Sequence, residues 1–383
     1  MVEEKSLHAV PAEARPGEGW TDRVTSADDA PHTFPCESCG DDQEFYIGHD
    51  SLRCPSCGFV KEIPLDEDVE IEERDYHVTL RALAERIEPD AAAEGVTVRC
   101  DSCSAEVFFE GAVTSTECAY CGTPIQRAGV HTSDGRIPVD GVIPFAVDRD
   151  KARASLRRWM SKLWFAPSKF KKQAKLGRFE GVYLPYWTFD TMTFCQWSGR
   201  RGDHYTETRG SGDNRRTVRK TRWSRRSGSF QRFFDDVLTL AATNVPTHLL
   251  RKLEPWPLTK LVPFRPEYLA GLQARTYDTK LENGFDVAQD RIRAALHADV
   301  RARIGGDVQR VDQLDARHDA ITFKHILLPL WLLTYRYSGK TYQVVVNAET
   351  AEVYGERPWS WLKILFTAFC AGLVLLFVAW ISN

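Results

Sequence analysis

Eight of the ten cysteines fall into two quartets of identical spacing. The first is Cys36-x2-Cys39-x14-Cys54-x2-Cys57, and the second is Cys100-x2-Cys103-x14-Cys118-x2-Cys121. Each cysteine of the second lies 64 residues after its counterpart in the first. A CxxC turn points two sulfurs at one centre, and four thiolates satisfy a tetrahedral zinc ion. The chemistry expected is therefore binding of two structural Zn2+ ions, one per quartet. Catalysis at the metal is not expected, because an all-cysteine set leaves no position for water or substrate. Iron is the other metal that such a set accepts. Thiol exchange would want one CxxC at a helix start rather than paired pairs. Alternating segments between the pairs, such as Glu44-Phe45-Tyr46-Ile47 and Glu106-Val107-Phe108-Phe109, suit short antiparallel strands. Each quartet thus reads as a zinc ribbon, in which the metal stands in for a core too small to hold the module. Both ribbons are poor in Lys and Arg, so a protein ligand fits them better than nucleic acid. His32, His49, His77 and His131 lie near the quartets, which are complete without them; they read as surface residues.

The elements that must hold these sites end in an uncharged run, Ile364 to Ile381, preceded by Trp359, Trp361 and Lys363. A helix over 361–381 covers a hydrocarbon core of about 30 Å. The N-terminus carries no apolar stretch with a small-residue cleavage site, so no signal peptide is expected. Lys340, Arg357 and Lys363 precede the span, as the positive-inside tendency prefers. The expectation is a single-pass protein of the inner (cytoplasmic) membrane with its N-terminus in the cytoplasm. The anchor follows the last strand almost directly and holds the domain near the bilayer. The ribbons are then expected to be the part that reaches outward. The net charge of −3 gives no global signature of a nucleic-acid binder.

The fold class expected is α+β: two N-terminal zinc ribbons, a duplicated mixed α/β cytosolic domain with antiparallel hairpins, and one C-terminal transmembrane helix. The divisions are a flexible N-terminus (1–30), ribbon 1 (31–64), an acidic linker with a short helix near 77–88 (65–95), ribbon 2 (96–130), a first repeat (135–250) and a second (255–356). The duplication rests on paired motifs. Gly141-Val142-Ile143-Pro144-Phe145 is similar to Lys260-Leu261-Val262-Pro263-Phe264, and Leu184-Pro185-Tyr186-Trp187 to Leu328-Pro329-Leu330-Trp331. Helices are predicted over 148–163, capped by Asp148 or Asp150, and over 286–297. Ser-Gly turns are predicted at Ser198-Gly199 and Ser338-Gly339, and Pro185 and Pro329 are predicted to mark strand starts or edges. Trp159 and Trp164 read as core residues.

Residues 200–226 carry ten Arg and Lys against three Asp and Glu. They read as a long hairpin with its tip near 210–214. Its exposed charge suits solvent, anionic lipid or an acidic protein, with nucleic acid behind these. Asp235 and Asp236 adjoin on a strand, where neighbours face opposite ways, so they do not form an acid/base pair. The sequence contains no glycine-rich phosphate loop, GxSxG or HExxH.

The tandem quartets, LPYWTFD at 184–190, TRW at 221–223, FFDDVL at 233–238 and the ending LLPLWLLTYRY…VVVNAET…GERPWS resemble a family of bacterial membrane-anchored proteins with transcription-factor-IIB type zinc ribbons. Members are also labelled primosomal protein N′ or replication restart helicase. The helicase label requires a phosphate-binding loop that this chain lacks. The resemblance implies flotillin-like (SPFH) and phage-shock protein A-like partners in envelope stress. The function expected is that of a non-enzymatic adaptor, and Ala368, Ala371 and Gly372 leave homo- or hetero-oligomers in the membrane open. Ala351 stands where the family pattern leads one to expect glycine, at a turn that asks for positive φ.

Overall fold

The computed structural model describes residues 34–64, 71–85, 96–99, 105–109, 115–117, 120, 124–126, 130–131, 137–167, 170, 178–209, 216–243, 245–275 and 277–382. The N-terminus expected to be flexible, the hairpin tip and all four cysteines of the second quartet lie outside these residues.

Short strands come first: β1 (Glu44–Phe45), β2 (Ser51–Arg53) and β3 (Val60–Glu62) form one small antiparallel sheet. β4 (Arg74–Asp75) leads into α1 (Tyr76–Glu85). The strands β5 (Val96–Arg99), β6 (Glu106–Phe109), β7 (Ser115–Glu117), β8 (Pro124–Gln126) and β9 (Val130–His131) alternate along the chain with the second cysteine set. The large domain follows with β10 (Gly141–Val142), α2 (Arg149–Lys162), β11 (Arg178–Arg209) and β12 (Arg216–Leu240). It continues with β13 (Val262–Pro263), β14 (Gln273–Ala274), α3 (Leu281–Ile304), β15 (Val308–Tyr337), β16 (Lys340–Asn347) and β17 (Val353–Gly355). The last element is α4 (Trp361–Ser382), long and apolar enough to cross a membrane and buried nowhere against the protein.

The centre of the fold is the antiparallel pairing of β11 with β15, where Leu184 faces Leu328, Tyr183 faces Pro329 and Pro185 faces Leu327. On the two sides of this point several pairings correspond. β10 runs parallel to β15 (Val142 beside Leu327), and β14 runs parallel to β11 (Ala274 beside Tyr183). Trp187 Nε1 donates to Thr279 O (3.1 Å), and Trp331 Nε1 to Val147 O (2.8 Å). Ala241 N–H donates to Pro185 O (3.0 Å), and Ala348 N–H to Pro329 O (3.2 Å). The strand in the position equivalent to β10 is therefore β14. The segment 260–264, expected there from its similarity to 141–145, instead supplies β13, the antiparallel partner of β10. Short apolar motifs look alike wherever a strand is buried, so likeness alone does not assign position.

Both prolines sit mid-strand rather than at starts or edges. In a strand the C=O and N of one residue face the same side, and the carbonyls of Pro185 and Pro329 point away from the central ladder. On that side of β11 the neighbour changes from β14, which pairs at Val182 and Tyr183, to β12, which pairs from Tyr186. The missing N–H falls at this junction, where no ladder bond is lost.

Ser338 and Gly339 form the expected tight hairpin turn, with φ of 50° and 76°. Ala351 does adopt positive φ, 62°. The turn expected at Ser198-Gly199 is absent. β11 runs through it for 32 residues because it has a partner on each side, β12 and β15. Gly199 permits this crowding: a Cβ there would lie 2.5 Å from Arg310 O. At about 3.3 Å per residue, β11 spans on the order of 100 Å. Its outer part is an arm. α3 covers one face of this arm with Ile292, Leu296, Val300 and Ile304 against Cys195, Trp197 and Phe234. Beyond Gly202, β15 ends and a two-stranded ribbon continues to Arg209 and Arg216.

Helix α2 is capped by Asp148, which accepts from Lys151 N–H (2.8 Å), and buries Ala152, Leu156 and Met160. Trp164, expected in the core, is 69% exposed beside the start of α4. Helix α3 begins at Leu281 and ends at Ile304, longer at both ends than the predicted 286–297, because its stripe follows the arm.

Candidate metal centre and carboxylate cluster

The first quartet closes through two matched turns. Gly40 N–H donates to Cys36 O (2.8 Å), and Gly58 N–H to Cys54 O (3.0 Å). Both glycines have φ of 78°, which a side chain would resist. The turns bring all four sulfurs within 4.8 Å of one another, with Cys36–Cys57 and Cys39–Cys54 Sγ pairs at 3.5 Å. Zn–S bonds of about 2.3 Å place the sulfurs of a tetrahedron about 3.8 Å apart, so a small contraction-free adjustment would seat the ion. Cys36 and Cys54 are buried, and Cys39 and Cys57 face solvent. The cluster is able to hold a metal ion on chemistry and geometry alone.

This module is not the part that reaches outward. Phe45 N–H donates to Ala270 O (3.0 Å) and Gly48 N–H to Phe145 O (2.9 Å). Phe45, Leu52 and Ile63 join the core around Phe145 and Tyr268, with the Phe45 and Tyr268 rings 5.5 Å apart edge to face. The strands of the second cysteine segment also attach: β5, β6 and β9 extend the large sheet through β14, where Ala274 pairs with Phe108. Tyr120 is buried and its carbonyl accepts from Gln343 Nε2 (2.9 Å). Cys100, Cys103, Cys118 and Cys121 lie outside the described residues. The outward reach belongs to the β11–β12 arm.

A second cluster was not legible in the sequence. Two bulges flank Asp190, one in β12 and one in β15, with Asp236 and Ala320 both at φ of 49°. The bulge breaks the strand alternation at Asp235 and Asp236, so both carboxylates come within 4.8 Å of Asp190. The expectation that they face apart holds for a regular strand and fails here. Lys324 Nζ lies among them, 3.0 Å from Asp236, 3.7 Å from Asp190 and 3.1 Å from Glu73. Glu73 belongs to the acidic stretch expected to be a solvated linker. β4 pairs with β15, Arg74 bridges to Asp140 (2.7 Å), and Tyr76 is buried against Phe189 and Phe285.

Burial, and then the nearby Glu73 carboxyl, pushes the Asp190 carboxyl up to about 7. Burial opposes the charge on Lys324, but Asp236 and Glu73 outweigh it and hold the ammonium above its usual range. Three carboxylates around one ammonium leave one carboxyl to keep its proton. A carboxyl raised on folding stabilises most below its unfolded pKa, near 4, and that stability is lost as pH rises through about 7. Asp190→Asn keeps the oxygen that accepts from Asp236 N–H and removes the ionisation. The variant is expected to match the wild type below about pH 4 and to exceed it by about 1–2 kcal/mol at about pH 8, read from urea midpoints. A variant weaker than wild type at the higher pH would refute this account.

Among the described residues, no histidine joins either cluster. His325 is buried against Trp187 and Tyr277, its Nδ1 3.1 Å from Ile137 O. Burial lowers its pKa to about 4, so it is neutral and structural. In the arm, Arg200 pairs with Asp312 (2.9 Å) and Lys220 with Glu207. Arg216, Arg219 and Arg226 make no ion pair with a described residue, and Trp223 is 48% exposed.

The fold and clusters define a mixed α/β protein with a C-terminal helix fit for a single-pass membrane anchor and an N-terminal cysteine cluster able to bind metal. Across 357 residues, 90% of this chain and 95% of the other, it is 26% identical to the uncharacterized protein YdjG of Bacillus subtilis (strain 168). No family model matches the chain, and no solved structure matches it.

Proposed function

We propose that the protein is a non-enzymatic adaptor, anchored by α4 in the cytoplasmic membrane with its N-terminus in the cytoplasm, that recruits protein partners. Each quartet is a zinc ribbon holding one structural Zn2+, and the two units about the β11–β15 centre are a duplication. Flotillin-like or phage-shock protein A-like partners, and an envelope-stress setting, follow from the family resemblance. The observation that carries the reading is the arm: one strand runs from the neighbourhood of the anchor to a basic ribbon on the order of 100 Å away along the sheet. A surface built this way suits capture of an acidic protein, since complementary charge speeds and orients encounter.

A nucleic-acid reading is favoured by one feature, since a two-stranded basic ribbon fits a major groove. Pull-down with the full chain in mild detergent separates the two. An adaptor captures protein from nuclease-treated extract in a salt-sensitive manner and loses it when Arg215, Arg216, Arg219 and Arg222 become Gln. Tight DNA binding abolished by the same changes would overturn the adaptor reading.

A further inference from the structure

The foot of the domain, where the chain enters α4, is built by the ends of two elements. Ser360 N–H donates to Phe165 O (2.8 Å), and Lys363 Nζ donates to the carbonyls of Trp164 (3.1 Å) and Ala166 (2.8 Å). These bonds hold the first turn of α4 against the loop that follows α2. On the other side stands the Ser338–Gly339 turn of the β15–β16 hairpin. Between hairpin and helix opens a cleft of about 730 Å³ lined by Tyr337, Lys340, Tyr342, Arg357, Trp359 and Trp361. Ile364, the first residue of the uncharged run, also lines it, so the cleft opens at the level where the apolar span begins.

Its chemistry is cationic and aromatic. Lys340 makes no ion pair with a described residue, and neither does Arg357, whose guanidinium lies 4.4 Å from the Trp359 ring centroid. Lys363 is spent on carbonyls and does not share in the cleft. Phe170 packs on Tyr335 (5.1 Å) and Tyr337 (6.0 Å) and steadies the base of the hairpin. Trp359 and Trp361 are 53% and 75% exposed. Indoles settle at the level of lipid headgroups, where an apolar ring and a polar N–H are both satisfied. Basic residues at that level attract anionic lipid.

We propose that this cleft binds the headgroup of an anionic phospholipid in the leaflet on the domain's side. Lys340 and Arg357 pair with the phosphate, and Trp359 and Trp361 pack along the glycerol and the upper acyl chain. The site rests on the reading of α4 as a membrane span, and it is separate from the basic arm. Bound lipid would brace the hairpin against the anchor and limit how the domain tilts over the bilayer.

The test uses the full chain in nonionic detergent, with phosphatidylglycerol or phosphatidylcholine added and retained lipid counted by native mass spectrometry. Wild type is expected to prefer phosphatidylglycerol by roughly tenfold or more, from two cations each contributing several-fold near an anionic group. Lys340→Gln with Arg357→Gln should abolish the preference, while Lys340→Arg with Arg357→Lys and the arm changes Arg216→Gln with Arg219→Gln should keep it. Should the glutamine variant misfold, the charge-retaining and arm variants still decide the matter. Equal retention of both lipids by wild type would overturn the site, as would loss of the preference in the arm variant alone. Displacement of the lipid by equimolar inorganic phosphate would mark a free-anion site and overturn it too. Alkaline carbonate extraction of membranes keeps the two readings apart. Release of the chain refutes the anchor, whereas an integral chain without lipid preference refutes only the cleft.

Discussion

Cys54→Ser is expected to melt the large domain as well as the small sheet it belongs to. The four thiols of the first quartet converge within 4.8 Å, and Cys54 is fully buried among them. Structural zinc contributes on the order of 10–16 kcal/mol in isolated zinc-finger peptides, comparable to the whole stability of an ordinary domain. With the proposed zinc gone, the turns at Gly40 and Gly58 keep only their own backbone hydrogen bonds. The loss travels further because Phe45, Leu52 and Ile63 belong to the core shared with Phe145 and Tyr268. Withdrawing three such side chains costs about 1.5–3 kcal/mol each. Thermal unfolding followed through the large sheet should therefore move down by ten degrees or more, on the order of the shift expected for several kcal/mol. Zinc per chain should fall by one. An unchanged melt with zinc lost would show that the module is energetically independent. If the proposed second site is real, wild type holds two zinc ions and Cys118→Ser also removes one; a wild-type content of one would refute it.

The second large effect is expected at the paired tryptophans. Trp187 and Trp331 occupy matching places in β11 and β15, and each indole N–H reaches a carbonyl just before the following helix. Trp331 stacks on Phe179 at 5.3 Å and meets Phe145 edge-on at 5.4 Å. Trp187 is fully buried between Tyr277, Phe323 and His325. Truncation of either to alanine should cost about 3–5 kcal/mol through the cavity and the orphaned carbonyl. Gly284→Ala tests the same contact from the other side. In an ordinary helix interior the change would stabilise by roughly 1 kcal/mol. Here the new Cβ would lie 2.5 Å from Trp187 Cδ1, so a loss of about 1–3 kcal/mol is expected instead. Denaturant midpoints of the three variants decide the issue, and a stabilised Gly284→Ala protein would contradict the packing described.

The sequence by itself determined whatever depends on residues close together along the chain. Cysteine spacing sets two sulfurs per turn, and a charge-free run sets a helix that water cannot cover. An aspartate, Asp148 or Asp150, is at hand to cap α2, and Ser338 and Gly339 turn the hairpin. The alternation through Tyr183, Trp187 and Phe189 announces a strand, though not that it runs for 32 residues.

Only the tertiary structure decided what depends on which strand lies beside which. The assignment of β14, not 260–264, as the counterpart of β10 is set by pairing with a strand 91 residues earlier, as Tyr183 beside Ala274 shows. Pro185 and Pro329 are tolerated mid-strand because the neighbouring strand changes at their position. Glu73, Asp190, Asp236 and Lys324 meet because bulges on both sides of Asp190 re-aim side chains that regular strands would separate. The first cysteine module looks self-sufficient as a sequence, since its metal ligands are complete. Its place in the core is settled by Phe145, Tyr268 and Ala270, more than 80 residues further on, through contacts that no local pattern encodes.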